Sequence, residues 1–301
     1  MYILITPVKD EEKHLPKVAE SVIGQTVPPT IWVIVDDGST DSTSEVIKNL
    51  KLRFNWIKSI ELPKHPRDIT FHYSYVCKNG FNHAIQLCKT DAIQYDFIGL
   101  LDADTVIEAM YFEKLTAEFN RNFRLGIASG YIIDVLDDEF RWEDIKNDKL
   151  DHPLPRGSGR FWRRECFLET GGYIIEPSPD SISNVKAKLK GWEIKQFGHI
   201  RAIQLRKTSG AQGLWKGYMI NGSIAYYLNK HPILVLLNFI HHTFSKSFYL
   251  GIPYFFGYII AVVKNEEKIS DIEINNYYWN VRLREVIIKV FLKWKFAENK
   301  K

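Results

Sequence analysis

Thr30-Ile31-Trp32-Val33-Ile34-Val35 runs directly into Asp36-Asp37-Gly38-Ser39-Thr40-Asp41, and this stretch decides the fold. The β-branched and apolar run reads as a strand. The Asp/Gly/Ser/Thr cluster after it is a turn that can cap a following helix, predicted over about Thr43 to Leu50. The same alternation extends in both directions. Upstream, residues 1–6 (MYILIT) form a strand, Pro7 to Glu12 a polar turn, and Leu15 to Ile23 a helix. Downstream, strands are predicted at Asn55–Leu62, Tyr95–Leu101 and Gly126–Val135, with helices at Ser74–Leu87 and Glu108–Asn120. This β-α-β-α-β-α-β order predicts an α/β fold whose mostly parallel sheet carries helices on both faces.

Beyond Asp137 the pattern loosens. Residues 137–160 are rich in charge, Pro and Gly and are expected to form a mobile insert. Arg160–Glu169 reads as a helix broken by Gly171-Gly172. Asp180–Gly191 reads as a second helix, and Trp192–Ile203 as a strand. From His231 the composition changes, and 247–263 (SFYLGIPYFFGYIIAVV) carries no charge. With 301 residues, two regions are expected: 1–205, and a helical, apolar extension over 206–301.

Composition removes several function classes. A hydrophobic fraction of 45% and a charged fraction of 25% exclude a disordered or fibrous chain. A net charge of +4 is too small to argue for nucleic acid, so none is expected as a partner. Three cysteines, Cys77, Cys88 and Cys166, make no disulfide framework and have no metal spacing, which fits a reducing compartment. The start MYILITPVKDEE has neither basic n-region nor cleavage site, so the catalytic part is expected to face the cytoplasm.

The carboxylates gather at strand ends. Asp10, Asp36-Asp37 and Asp102/Asp104 each follow a different predicted strand, and in an open α/β sheet ligands bind beyond the strands' carboxyl ends. Any one of them alone reads first as a turn or cap residue, and it is the three groups at one edge that favour a site. Asp102-Ala103-Asp104 follows the apolar run FIGLL. Where the chain turns at a strand end, both carboxylates can approach one site, and hard divalent cations take such oxygen ligands together with phosphate.

Thr6-Pro7-Val8-Lys9-Asp10-Glu11-Glu12, Ser21-Val22-Ile23-Gly24-Gln25-Thr26, Val33 through Asp41 and Leu101-Asp102-Ala103-Asp104, in this order and spacing, resemble glycosyltransferase family 2. The resemblance covers about residues 4–205. It implies the GT-A fold and an inverting transfer from a nucleotide sugar. It implies a nucleotide loop at Pro7, Asp10 and Glu11, and a carboxylate at Asp37, beside Asp36, that reads the base. Asp102 and Asp104 would serve the diphosphate and a Mg²⁺ or Mn²⁺ ion. Asp180 would be the base that deprotonates the acceptor hydroxyl, although Pro179 stands where the family has Glu and Ile182 where a further Asp is common. A helix cap is the competing reading of Asp180.

His199 and Arg201, two apart in a strand, share a face. His199 could complete the metal shell and Arg201 could meet the diphosphate, with a partly buried His and a surface Arg as the alternative. His14, His65, His72 and His83 show no ligand spacing and are assigned no role. Arg206, Lys207 and Lys216 flank a Gly-rich stretch that reads as a lid over phosphate or a basic, membrane-facing loop. Arg156-Gly157-Ser158-Gly159-Arg160 reads as a solvated loop, with contact to the acceptor or a phosphate as the alternative. The run 247–263 has 17 residues, interrupted by Gly251, Pro253 and Gly257. Spanning takes about 20 apolar residues, so helices lying in a membrane interface are expected here, with core burial and a true span as alternatives. The expected activity is metal-dependent sugar transfer from a UDP- or GDP-sugar to a hydroxyl, on a lipid-linked or saccharide acceptor at the cytoplasmic face of a membrane. A nucleotidyltransferase and a non-catalytic sugar-nucleotide binder are the rivals.

Overall fold

The computed structural model describes residues 1–66, 68, 70–134, 142, 149–206, 213–244 and 249–288. The chain divides into two compact units, Met1–Lys207 and Thr208–Lys301.

In the first unit the elements run β1 (Tyr2–Val8), α1 (Leu15–Ile23), β2 (Ile31–Asp36), α2 (Thr43–Arg53), β3 (Ile57–Glu61), α3 (Phe71–Thr90) and β4 (Phe97–Leu100). Then follow β5 (Thr105–Ile107), α4 (Tyr111–Arg121), β6 (Leu125–Asp134), β7 (Arg160–Arg163), α5 (Arg164–Glu169), α6 (Pro179–Leu189) and β8 (Glu193–Gln204). The eight strands form one sheet in the order β3-β2-β1-β4-β7-β6-β8-β5. Every residue of β1 and β2 is buried, which is why both read as apolar runs without alternation. One set of strand residues (Tyr2, Leu4, Trp32, Ile34) packs with α1, α2 and α4. The other set (Ile3, Ile5, Val33, Val35) packs with α3 and α5.

The sheet is mixed. β1, β2, β3 and β4 are mutually parallel, and β6 pairs parallel with β8. β7 runs antiparallel between β4 and β6, and β5 antiparallel to β8. The helix expected over Arg160–Glu169 is therefore corrected: its first four residues are β7. Phe161 and Trp162 are buried on opposite faces of the sheet, a pattern that carries no visible period. The loop 156–160 is likewise not solvated, since Ser158 and Arg160 are both buried. The three-residue β5 carries too little sequence to be predicted. Of the expected insert 137–160, residues 137–141 and 143–148 lie outside the described residues.

The second unit is helical: α7 (Leu214–Tyr227), α8 (Pro232–Thr243), α9 (Gly251–Val263) and α10 (Ile272–Asn276), continued by a π-helical turn, Tyr277–Val281. The chain from Leu214 is thus a helix and not the Gly-rich loop expected there; 207–212 lie outside the described residues. Two glycines bring α7 and α9 into backbone contact. A Cβ on Gly222 would lie 1.9 Å from the Tyr254 carbonyl oxygen, and one on Gly257 1.9 Å from that of Met219. Among the described residues no helix is long and apolar enough to cross a membrane.

Candidate active site

The site is built where β1, β2 and β4 end. Gly38 turns the chain after β2 at φ +63°, and a Cβ there would lie 2.6 Å from the Lys64 Cα, so the position needs glycine twice over. Asp36 and Asp10 serve the loops themselves. Asp36 accepts from the Ser39 amide (2.9 Å) and from Ser44 Oγ (2.7 Å). Asp10, at φ 53°, accepts from the Thr40 amide at 2.7 Å. The Glu11 amide donates to Thr43 Oγ1 at 2.8 Å. The Asp10 and Glu11 bonds tie the loop 9–12, shorter than the expected turn Pro7 to Glu12 because Pro7 and Val8 belong to β1, to the start of α2.

Asp37 is held differently. Its amide donates to the Val8 carbonyl (2.9 Å), while its buried carboxylate meets His72 Nε2 at 2.7 Å and Lys9 Nζ at 3.2 Å. His65 stacks on His72 with ring centroids 3.7 Å apart. Neither Lys9 nor His72 was assigned a role from sequence. His72 is on the first turn of α3, distant in the chain, so no local spacing announces it.

At the end of β4 the Asp102 amide donates to Ser158 Oγ (3.0 Å), and its Oδ1 accepts from Tyr73 OH (2.7 Å). Burial pushes the Asp102 carboxyl up to about 7; the negative charges of Asp104 and Asp180 add to this, and the Tyr73 and Ser158 hydrogen bonds work against it. Asp180 and Asp102 are brought to one loop, since Asp180 lies beside Gly157 and the Asp102 amide is bonded to the next residue, Ser158. Asp180 sits in the first turn of α6, and its Oδ2 would lie 2.9 Å from a Cβ on Gly157. The α6 start is fixed from below by Arg160, whose Nη2 donates to Asn184 Oδ1 (2.6 Å) and to the Asp180 carbonyl (3.3 Å). Arg160 is fully buried, and burial lowers its guanidinium to about 10, with Asp180 opposing the shift.

Asp104 is buried and pairs with a cation that sequence reasoning left as loop. Arg206, just past β8, donates from Nε to Asp104 Oδ2 at 3.0 Å and from Nη2 to Glu11 Oε1 at 2.5 Å. Glu11 also meets His14 Nδ1 at 2.9 Å through its other oxygen. Burial works against the Arg206 charge, but Asp104 and Glu11 more than offset it and raise its pKa. The Leu205 amide donates to the Asp104 carbonyl, and this extension of the β5–β8 pairing delivers Arg206.

His199 and Arg201 are not brought to this cluster. His199 lies in the bulge of β8, between the Phe197 and Arg201 pairings. Its Nε2 faces Glu118 at 3.7 Å. Arg201 is engaged by Glu108, Nη2 to Oε2 at 3.2 Å. The bulge in β8 between its Gly130 and Tyr131 pairings interrupts the simple alternation on which their shared face was predicted. Pro7 lies in β1, paired with Val35.

The family model described as Glycosyl transferase family 2 matches residues 3–174. The chain belongs to this family. No curated protein is similar enough in sequence to match. Among solved structures, S. aureus TarS 1–349 in complex with UDP-GlcNAc is 16% identical with a TM-score of 0.59, covering 87% of this chain and 80% of that one. A mannosyltransferase, PcManGT from Pyrobaculum calidifontis, in complex with GDP-Man and Mn²⁺, is 13% identical with a TM-score of 0.52, covering 87% and 73%. At such identities these likenesses show the fold, GT-A. The chain spans 65% of the length of one further TarS structure and 44% of another. The family match sets the nucleotidyltransferase expectation aside. Three of the four family-2 motifs fall at the strand ends just described, while Ser21–Thr26 closes α1 and joins Glu108 and Phe112 through Gln25.

Proposed function

We propose that this chain is a metal-dependent, inverting glycosyltransferase that moves a sugar from a UDP- or GDP-sugar to a hydroxyl on a lipid-linked or saccharide acceptor. The observation that carries the reading is that the loop Gly157-Ser158 brings Asp180 beside Asp102, at the strand end that also bears Asp104, with Asp37 at a neighbouring strand end. One group of carboxylates can serve the diphosphate, a separate one the acceptor. UDP-GlcNAc and GDP-Man are bound by the two structural relatives named above, which supports a nucleotide-sugar donor of this class.

Asp37, with Lys9 beside it, offers an acceptor next to a donor, a pattern suited to the edge of a uracil or guanine base. Glu11 and Asp104 already converge on a cation, the Arg206 guanidinium, and their oxygen ligands are of the kind Mg²⁺ and Mn²⁺ prefer. Asp104 would hold the ion, with Asp102 beside it. The chemistry supplied by the bound ion is neutralisation of the charge that grows on the leaving diphosphate. In the transfer the acceptor oxygen bonds to the anomeric carbon, and the carbon–oxygen bond to the diphosphate breaks with its electron pair leaving on phosphate. The acceptor proton passes to Asp180. One such displacement inverts the anomeric centre.

The second unit supports a seat on a membrane surface. Ile233, Leu236, Leu237 and Ile240 stand exposed along one side of α8, and Ile252, Phe255, Phe256 and Ile259 along one side of α9. A location at the cytoplasmic face is consistent with three free, buried cysteines.

The decisive experiment is Asp180→Asn. Turnover with the donor sugar is expected to fall on the order of 10²–10⁴-fold, while the affinity for UDP or GDP with Mn²⁺ stays within about twofold. An equal loss of nucleotide affinity makes Asp180 a binding or helix-cap residue and sinks the assignment.

A further inference from the structure

Arg206 occupies the place where the proposed donor chemistry needs a cation, and this can be followed further, resting on the donor-site reading above. The Asp104 side chain is 8% exposed and that of Glu11 4%, so neither carboxylate can rely on water for its counter-charge. One guanidinium serves both, at 3.0 Å and 2.5 Å. The oxygen it takes from Asp104 is Oδ2, donated to by Nε. Glu11's second oxygen is taken by His14 Nδ1, which leaves Glu11 turned toward Arg206. The Arg206 side chain is 29% exposed, and it is therefore the member of the trio that can leave.

We propose that Arg206 is a displaceable counter-cation that makes divalent-metal binding conditional on the diphosphate. A metal ion arriving alone at Asp104 meets a guanidinium already on the same carboxylate, and two cations on one carboxylate repel. Binding then requires Arg206 to give up Asp104 with no new partner. A metal ion arriving with a nucleoside diphosphate brings that partner. The planar fork of a guanidinium matches phosphate oxygens as well as it matches a carboxylate, so the exchange conserves charge pairing at both ends. Free energy coupling of this kind is reciprocal: diphosphate tightens metal by the same factor that metal tightens diphosphate.

The test is calorimetric titration of the full chain with MnCl₂ alone, with UDP or GDP alone, and with each nucleotide at saturating MnCl₂. Wild type is expected to bind Mn²⁺ alone weakly, and a saturating nucleotide should tighten it by at least about tenfold. In Arg206→Gln, Mn²⁺ alone should bind on the order of tenfold more tightly and the nucleotide's tightening effect should shrink by a similar factor. Arg206→Lys keeps the charge and loses the fork. It should shift both quantities in the same direction by a smaller factor, and it carries the test if melting shows that the glutamine variant is unfolded. Unchanged Mn²⁺ affinity and unchanged coupling in the folded variants overturn the proposal while leaving the donor site standing. Failure of the wild type to bind either nucleotide with Mn²⁺ overturns the donor-site reading as well.

Discussion

At the sheet edge of the first unit, charged side chains are committed to one another. Asp37 has Lys9 and His72, Asp104 and Glu11 share Arg206, and Asp102 has Tyr73. In the second unit the residues left over are apolar, with rows of exposed Ile, Leu and Phe on α8 and α9. A buried charge without a partner costs several kcal/mol, so evolution of a polar site leaves a dense record of hydrogen bonds. Exposed apolar rows record no partner groups, only their own low polarity. The first region therefore specifies its ligand chemistry atom by atom, the second only in kind.

The contrast breaks most visibly at the aspartates. Asp104→Ala should cut transfer on the order of 10³-fold or more, since the residue would hold the ion that neutralises the leaving group. Asp36→Asn should do the opposite. Its carboxylate accepts from Ser39 and Ser44 and serves the loop, so the variant should lose about 1–3 kcal/mol of stability. Its folded fraction should keep most of its turnover. Thermal melting beside steady-state kinetics separates the two. A D36N protein that is stable but inactive would mean that the neighbours Asp36 and Asp37 share the nucleotide.

How far this division could be read in advance depended on range. Strands β1 and β2, the helix Leu15–Ile23 and the strand-end aspartates are legible because each depends on local residue order. β7 was misread because Arg160–Arg163 is buried on both sides between two antiparallel neighbours, which removes the alternation that would separate strand from helix. The partners of His72 and Arg206 are illegible for another reason: His72 is given no role from sequence, and Arg206 reads only as part of a lid over phosphate or a membrane-facing loop. His72 reaches Asp37 across 35 residues and Arg206 reaches Glu11 across 195, and only the finished sheet brings them there. His199 and Arg201 failed in the converse way: their two-residue spacing was visible, but a bulge and the length of β8 carry them to Glu118 and Glu108 instead.

In the second unit the largest effect is expected at the α7–α9 crossing. Gly257→Val puts carbon where the Met219 carbonyl stands, and forced separation of the helices should cost about 3 kcal/mol. Limited proteolysis should then cut within Thr208–Lys301 and spare Met1–Lys207. Uniform resistance would mean that the helices can shift apart cheaply. The same packing argues that a shortened protein should end at Lys207, since a chain stopped after Lys230 keeps α7 without the helix it rests on.

The exposed rows themselves are probed by Leu237→Asp and Phe256→Asp. If they enter a lipid surface, each should weaken binding to anionic liposomes by about 1.5–3 kcal/mol, tenfold or more. High salt alone should release only part of the wild type, because the hydrophobic contribution does not depend on salt. Unchanged flotation of both variants would reassign the rows to contact with another protein surface.

A pH titration tests whether the second unit is as poor in charge compensation as its surface suggests. Lys230 lies over the Tyr278 ring, with its ammonium 5.6 Å from the centroid. Burial, and then the nearby Arg282 charge, lowers its pKa from 10.5 to about 8. A lysine whose folded pKa is depressed is neutral in the fold and still protonated in the unfolded chain between those two values. The unfolded state then binds more protons, so stability rises with pH across that window and the burdened, charged form prevails below it. The second unit should gain up to about 2–3 kcal/mol as pH increases from 8 to 10.5, measured by denaturant unfolding at each pH. Lys230→Met should flatten that rise and should be the more stable protein at pH 7. A variant with the same pH profile as wild type would mean that Lys230 reaches water, and that this unit, like the first, keeps its charges satisfied.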